Sequence, residues 1–237
     1  MRRDILGIGF DGYTLTGAVE WALDAMKEKK AAYVCTPNPE IVWSGQKNGD
    51  LRRAINGADA VFADGVGILW AAKTLKTPLP ERVAGYDFLL SLLEKMEGTV
   101  FLLGGKPGVA EAAAENIEKT WPRVRVVGCA HGYFQGDEDI TCAIRVAEPD
   151  LLLVCLGSPK QELWMEKQAH AGLPVGLMAG LGGSLDVLAG RAKRAPARWI
   201  RWKLEWLYRL RREPARIKRQ MCLPRFVLAV MAQRMKT

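Results

Sequence analysis

The sequence predicts an α/β fold in which helices cover both faces of a parallel sheet. Seven short apolar runs recur along the first 180 residues, and segments with helical periodicity separate them. Runs that are apolar throughout are typical of parallel strands buried on both faces. The chain has 237 residues, 49% of them hydrophobic, which is enough for a sizeable core. We therefore predict a Rossmann-like domain over residues 1–194.

Strands and helices alternate in the predicted order, as right-handed crossovers between parallel strands require. The predicted strands are residues 5–9, 32–35, 60–63, 100–103, 124–129, 151–156 and 175–178. Helical patterns between them include residues 17–29, 109–121, 139–147 and 160–170.

Polar or glycine-rich turns follow five of these strands. Glycine and proline in loops are ordinary, but these turns also carry Thr, Asn, Asp, Lys and Gln. In open parallel sheets the ligand binds beyond the carboxyl ends of the strands. The sequence therefore predicts a binding site at this edge. The turns are residues 36–40, 64–67, 104–108, 131–134 and 157–162.

Two of these turns carry candidate side chains that also have a structural interpretation. Asp64 follows an apolar run and precedes Gly65, a position that suits a general base, a metal ligand or a helix N-cap. Thr36 and Asn38 can bind sugar hydroxyls or phosphate, although Asn38 before Pro39 also fits a helix cap.

The turn at residues 104–108 lies between a strand and a helix, a position that suits a diphosphate. Gly105 and Lys106 are its candidate binding residues, and Gly157 is the corresponding candidate in the last turn. As an isolated motif the turn is weak, because it is neither G-x-G-x-x-G nor a Walker A loop.

The sequence predicts no metal site. Asp137 and Asp139 have the D-x-D spacing of metal-dependent glycosyltransferases, but they precede a helical pattern and fit an acidic first turn. Only two histidines are present, and none of the five cysteines has C-x-x-C spacing. We interpret His131 as structural and the cysteines as reduced thiols.

The positive charge of the chain is concentrated at its C-terminal end. Residues 191–237 hold 15 Lys/Arg and 2 Asp/Glu, whereas residues 1–190 hold 19 and 24. Such asymmetry indicates an anionic partner. No segment reaches the ~18 apolar residues of a spanning helix, so we expect peripheral contact at the cytoplasmic face of the membrane.

A helical appendage is predicted over residues 195–237. Trp199, Trp202, Trp206 and Leu210 share one helical face, and Pro214 is expected to break the helix. Packing on the core, nucleic-acid binding and membrane-surface binding all suit this composition. We favour core packing combined with membrane binding and predict no nucleic-acid partner. Its apolar surface predicts homo-oligomers when lipid is absent.

Several short motifs, in this order along nearly the whole chain, resemble the WecG/TagA/CpsF family of bacterial glycosyltransferases. The motifs are TPNPEIV from Thr36, DGVGI from Asp64, ERVAGYD from Glu81, LGSPKQE from Leu156, GLGGSLD from Gly180, RAP from Arg194, LEWLYRL from Leu204 and EPAR from Glu213. Gly182-Gly183-Ser184 departs from the bulkier residue that many members carry there.

The resemblance implies an inverting transfer from a UDP-sugar to a sugar on undecaprenyl diphosphate, without an essential metal or cofactor. One branch of the family transfers N-acetylmannosamine to the 4-hydroxyl of N-acetylglucosamine, a β-1,4 linkage in wall teichoic acid synthesis. A sister branch uses the N-acetylmannosaminuronic acid donor for another surface polysaccharide.

The resemblance also implies site residues. Asp64 matches the catalytic base, while Thr36, Asn38, Arg82 and Gln161 match pocket residues. The arginines that match those binding a diphosphate are Arg209, Arg216 and Arg219. A non-enzymatic nucleic-acid-binding protein is the rival class, and an oxidoreductase is disfavoured because the dinucleotide fingerprint is missing.

Overall fold

The computed structural model describes residues 2–202, 205–212 and 217–236, without the side chains of residues 197, 200, 205, 206, 209, 212, 218 and 219. The strands are β1 Arg3–Ile5, β2 Ile8–Phe10, β3 Ala32–Cys35, β4 Ala60–Val61, β5 Gly98–Gly104, β6 Val124–Ala130, β7 Leu151–Cys155 and β8 Leu177–Gly180. The helices are α1 Leu15–Glu28, α2 Pro39–Gly45, α3 Gly49–Gly57, α4 Val66–Thr74, α5 Gly85–Lys95, α6 Val109–Thr120, α7 Glu138–Ala147, α8 Lys160–His170, α9 Ser184–Leu188, α10 Ala197–Arg201, α11 Glu205–Arg212, α12 Ile217–Gln220 and α13 Leu223–Lys236.

Six strands form one sheet in the order β4-β3-β8-β7-β5-β6, and every pairing in it is parallel. The predicted α/β class is therefore confirmed. Strand β8 begins two residues later than predicted. Gly176, just before the strand, is tightly packed: a Cβ there would lie 2.4 Å from the Asp150 carbonyl oxygen and 2.5 Å from that of Met26.

The N-terminal segment forms an antiparallel hairpin, so the single strand predicted over residues 5–9 is wrong. Strands β1 and β2 pair through Arg3 with Phe10 and through Ile5 with Ile8. Leu6 and Gly7 turn the chain with φ values of 53° and 77°. Two consecutive residues with positive φ are typical of the tight turns that join such strands.

Helices cover both faces of the sheet, and each face has its own core. One core combines the hairpin with buried side chains from α2, α3, α4, α8 and α13. The other combines buried side chains from α1, α5, α6 and α9. Strand residues alternate between the two cores, as Leu152 and Leu153 of β7 do.

The last helix contributes to the core of the domain. Phe226 and Val230 of α13 are 2% and 0% exposed, among side chains of the first core. Gln233 accepts a hydrogen bond from the backbone amide of Leu6 at 2.9 Å and donates one to Asp4 at 2.8 Å. The C-terminal end of the chain therefore packs against its N-terminal hairpin. The domain boundary at residue 194 remains a prediction.

The uninterrupted helical face predicted from Trp199 to Leu210 is wrong. Helix α10 ends at Arg201 and α11 begins at Glu205, so Trp199 and Leu210 lie on separate helices. Trp199 instead packs its ring on Tyr208, with 5.7 Å between centroids, and Trp202 is 62% exposed. No helix within the described parts of the chain is long and apolar enough to cross a membrane.

Candidate active site

The carboxyl edge of the sheet has a topological switch point between β5 and β7. The chain leaves β5 toward β6 and leaves the adjacent β7 toward β8, in opposite directions. A crevice opens at such a point in parallel sheets. The turns on its two sides are residues 105–108 and 156–159, which include the predicted candidates Gly105, Lys106 and Gly157.

A second cluster lies at the carboxyl ends of β3 and β4. The Asp64 amide donates to the carbonyl of Pro37 at 3.4 Å, and the Val83 amide donates to that of Ala63 at 3.0 Å. These bonds place Asp64 beside the turn of Thr36 and beside the segment of Arg82. The structure therefore brings together three of the predicted site residues.

The two clusters are connected by the turn after β8, which the sequence analysis did not include among its five turns. Strand β8 separates β3 from β7, and Thr36 donates from Oγ1 to the Gly180 carbonyl at 3.4 Å. Three inter-strand steps of about 4.8 Å put β4 roughly 14 Å from β7. The candidate site is therefore an elongated strip with Asp64 toward one end.

Asp64 does not cap the helix that follows it. The N-cap position of α4 is occupied by Gly65, with φ 91°, so Asp64 lies one residue before it. The cap interpretation of Asp64 is therefore wrong, and its role as a base remains a prediction. Gly65 and Gly67 both face Pro39, and a Cβ at Gly67 would lie 2.7 Å from its Cγ. Glycine thus allows this turn to pack against the start of α2.

Asn38 caps helix α2, as its sequence context predicts. Its Oδ1 accepts from the Ile41 amide at 3.0 Å, and Pro39 occupies the first helical position. The cap leaves the amide nitrogen of Asn38 for another partner. Contact of Asn38 and of Thr36 with substrate remains a prediction.

The loops at the switch point are shaped by glycines. Gly104 has φ 140°, and a Cβ there would lie 2.3 Å from the Cys155 carbonyl oxygen. Gly105 has φ 71° and accepts from the Gly132 amide at 2.9 Å. Gly157 has φ 76°, and a Cβ there would enter open space. This backbone is consequently accessible to a ligand at Gly157. The Lys106 side chain, in the turn after the adjacent strand β5, is exposed.

Lys160 is a cation of this region that the sequence analysis did not single out. Its Nζ donates to the Gly132 carbonyl at 3.0 Å and lies 3.9 Å from the centroid of the Phe134 ring. Lys160 is also the first residue of α8, so the positive end of that helix adds to its charge.

Gln161 lies beneath the turns rather than at their surface. It is 5% exposed, its Oε1 accepts from the Gly182 amide at 3.0 Å, and its Nε2 donates to Glu162 at 3.0 Å. The side chain thus fixes the turn after β8 relative to the start of α8. Direct contact of Gln161 with substrate remains a prediction.

Glu162 is an acidic side chain within the core that the sequence analysis did not recognise. It is 2% exposed, and burial raises the pKa of its carboxyl group above the usual value. A helical pattern alone does not distinguish this residue from an exposed glutamate in α8.

The variant Glu162→Gln is expected to be more stable than the wild type at pH 8 but not at pH 4. At low pH the group is protonated in both states; as pH rises, the unfolded chain ionises first, so wild-type stability falls. Each unit of pKa shift corresponds to about 1.4 kcal/mol. Urea unfolding at both pH values measures the difference, with exposed Glu20→Gln as the control. A pH-independent difference would contradict this prediction.

Asp137 has a structural role, in agreement with its interpretation as part of a helix start. Its carboxylate accepts from Trp164 Nε1 at 2.9 Å, from Lys167 Nζ at 3.0 Å and from Gln168 Nε2 at 2.9 Å. Burial opposes ionisation, but these donors, Lys167 above all, lower the pKa of Asp137 below its usual value. The carboxylate thus joins the start of α7 to α8.

The remaining predicted residues lie near the C-terminal end. Arg209 belongs to α11 and Arg219 to α12, but their side chains lie outside the described residues, as does the whole of Arg216. A depression of about 640 Å³ lies elsewhere, between β6 and α7, and includes none of the predicted site residues in its lining.

Comparison with known proteins shows the family of the chain. Residues 3–237 match the family described as "Glycosyl transferase WecG/TagA/CpsF family". An N-acetylglucosaminyldiphosphoundecaprenol N-acetyl-beta-D-mannosaminyltransferase from Bacillus spizizenii is 35% identical over 87% of this chain and 81% of its own. A protein of the same name from Staphylococcus aureus strain MW2 is 34% identical over 96% of this chain and 91% of its own. The chain therefore belongs to the WecG/TagA/CpsF family of glycosyltransferases.

Proposed function

We propose that this glycosyltransferase moves N-acetylmannosamine from UDP-N-acetylmannosamine to the 4-hydroxyl of N-acetylglucosamine on undecaprenyl diphosphate. The product carries a β-1,4 linkage and belongs to wall teichoic acid synthesis. The observation that carries the proposal is the activity for which relatives aligned over 87–96% of the chain are named. The clustering of Asp64, Thr36 and Arg82 at one sheet edge supports it independently.

The proposed reaction is a single in-line displacement. Asp64 removes the proton from the acceptor 4-hydroxyl as that oxygen forms a bond to the anomeric carbon of the donor. The bond from this carbon to the β-phosphate oxygen breaks, and its electron pair leaves with UDP. A single displacement inverts the anomeric centre. Such general-base assistance typically contributes about 10²–10⁴-fold.

Charge on the departing diphosphate requires cationic partners. Helices α4, α5, α6 and α8 all begin at the carboxyl edge of the sheet, so their partial positive ends converge there. Lys106 and Lys160 lie at the switch-point loops, and Arg82 lies near Asp64. We assign diphosphate binding to this edge, with Arg209, Arg216 and Arg219 as further candidates.

The decisive experiment incubates the purified chain with a lipid-linked N-acetylglucosamine diphosphate and one UDP-sugar at a time, measuring UDP release. We expect release with UDP-N-acetylmannosamine and little with its glucosamine epimer or its uronic acid form. Preference for the uronic acid donor would assign another surface polysaccharide. No release with any donor, from a folded protein, would refute the proposal.

We further propose that the chain binds the cytoplasmic face of the membrane peripherally. The outward side of α13 carries Leu228, Met231 and Met235, which are 69%, 47% and 82% exposed. Arg234 and Lys236 follow on the same helix. Apolar and cationic side chains together favour an anionic interface, at about 1 kcal/mol per cation.

Flotation with vesicles tests the membrane proposal. We expect the chain to bind vesicles rich in anionic lipid, and to bind them less at high salt. The double variant Leu228→Asp/Met231→Asp should lose binding, whereas Val146→Asp, at a site 83% exposed on α7, should retain it. Equal binding by both variants would show that α13 does not contact the lipid.

A further inference from the structure

Two arginines from distant parts of the chain share one carboxylate. Arg82 Nη2 lies 3.3 Å from Asp87 Oδ2, and Arg194 Nη2 donates to Asp87 Oδ1. The three side chains are 20%, 30% and 28% exposed, for Arg82, Arg194 and Asp87 in turn. Asp87 therefore holds both guanidinium groups, and all three side chains are partly open to solvent.

Arg194 is held in a defined orientation. Its Cζ lies 5.2 Å from the centroid of the Tyr86 ring, and Asp87 fixes the end of its guanidinium group. The Nε atom is buried and has no hydrogen-bond partner among the described residues. A stacked, pre-oriented guanidinium group loses little entropy when it binds an anion, and its planar fork matches phosphate oxygens.

The two arginines border the predicted site. Arg82 precedes Val83, whose amide bonds to the residue before Asp64. Asp87 lies in the first turn of α5. Gly85, the first residue of that helix, packs directly on Thr36, because a Cβ at Gly85 would lie 2.9 Å from Thr36 Oγ1. The positive end of α5 is therefore at the same place as the two guanidinium groups.

We propose that Arg194 is a diphosphate-binding residue that acts with Arg82, both held in orientation by Asp87. This inference rests on the proposed function, in which both the UDP-sugar and the lipid-linked acceptor carry a diphosphate. The alternative role for Arg194 is an ion pair that only attaches residues 190–196 to α5. That role predicts a loss of stability without a change in ligand binding.

The test measures equilibrium binding of UDP and UMP to the full chain by calorimetry. Arg194→Met keeps the apolar stem but removes the guanidinium group. We expect it to weaken UDP binding roughly 10- to 100-fold, as for loss of a charge-assisted pair of hydrogen bonds, with a smaller effect on UMP. Arg125→Met, near the amino end of β6 at the opposite sheet edge, is the control and should bind UDP normally.

Two further measurements separate the outcomes. If UDP binding is unchanged but KM for the lipid-linked acceptor rises tenfold or more, Arg194 binds the acceptor diphosphate. If neither the affinity for UDP nor the KM for the acceptor changes by more than twofold in folded Arg194→Met, the inference is wrong. Should that variant not fold, Arg194→Lys replaces it, and UDP and acceptor affinities both within twofold of wild type would overturn the inference.

These outcomes are distinguishable from failure of the proposed function. A wild-type chain that binds UDP and releases it from a donor, alongside an unchanged Arg194→Met variant, refutes only the inference. A wild-type chain that neither binds nor releases UDP refutes the proposed function.

Discussion

Replacing Asp64 with asparagine is expected to lower turnover by about 10²–10⁴-fold, the contribution of a general base. Asparagine has nearly the same shape but accepts no proton at neutral pH. The backbone bond from residue 64 to Pro37 is unaffected by the substitution, so the turn should keep its conformation. We therefore expect kcat to fall while the affinity for UDP changes little. Single-turnover measurement of UDP release, together with calorimetry of UDP binding, provides both values.

Asp24→Asn is the matched control for this substitution. Asp24 is 75% exposed in its side chain on α1 and is distant from the carboxyl edge of the sheet. The control should retain normal turnover. Near-normal turnover by folded Asp64→Asn would remove Asp64 from the base role. A fall in UDP affinity with unchanged kcat would assign Asp64 to binding instead.

The sheet was predictable because burial on both faces leaves a simple signal. Runs such as those of β5 and β7 are apolar at every position, and their seven- and five-residue lengths suit strands. The rule that ligands bind at carboxyl ends then located Thr36, Asp64 and Gly157 correctly at one edge. The turn after β8 is not among the predicted turns, although it carries Gly182 and Gly183.

Contacts between residues that are far apart in the chain have no comparable signal in the sequence. Arg194 and Asp87 are 107 residues apart, and a local pattern does not indicate that they meet. Both residues belong to motifs that carry the family resemblance, so the sequence marks each of them but does not predict that they pair. The same holds for Gln161, whose amide contacts Gly182 from 21 residues away. Periodicity reports which face a residue occupies, whereas ion pairs depend on the packing of whole elements.

The C-terminal end of the chain is part of the packed core, which agrees with the core-packing part of the predicted combination of core packing and membrane binding. Its charge and tryptophans also predict an appendage, whose removal near residue 195 is expected to leave a folded domain with little activity. The structure places Phe226 and Val230 of this segment in the first core. Removing α13 would uncover apolar surface on α2 and α4, which the helix contacts. A truncated chain that loses activity would therefore not by itself separate loss of the C-terminal arginines from loss of folding.

A substitution within α13 avoids that ambiguity. Phe226→Ala is expected to lower the free energy of unfolding by about 3–5 kcal/mol, the usual cost of removing a fully buried phenylalanine ring. Leu228→Ala lies two residues away on the same helix, and because Leu228 is 69% exposed, it should cost less than about 0.5 kcal/mol. Both variants remove an apolar side chain and introduce the same residue, so helix propensity changes little.

Urea unfolding followed by tryptophan fluorescence measures the two variants. If Phe226→Ala unfolds at a much lower urea concentration than Leu228→Ala, α13 is a structural part of the domain in solution. Equal midpoints would instead show that the helix detaches easily from α2 and α4. In that event Phe226 and Val230 would join Leu228 as apolar residues available to a membrane, and the hydrogen bonds of Gln233 to the hairpin would be too weak to hold the helix in place.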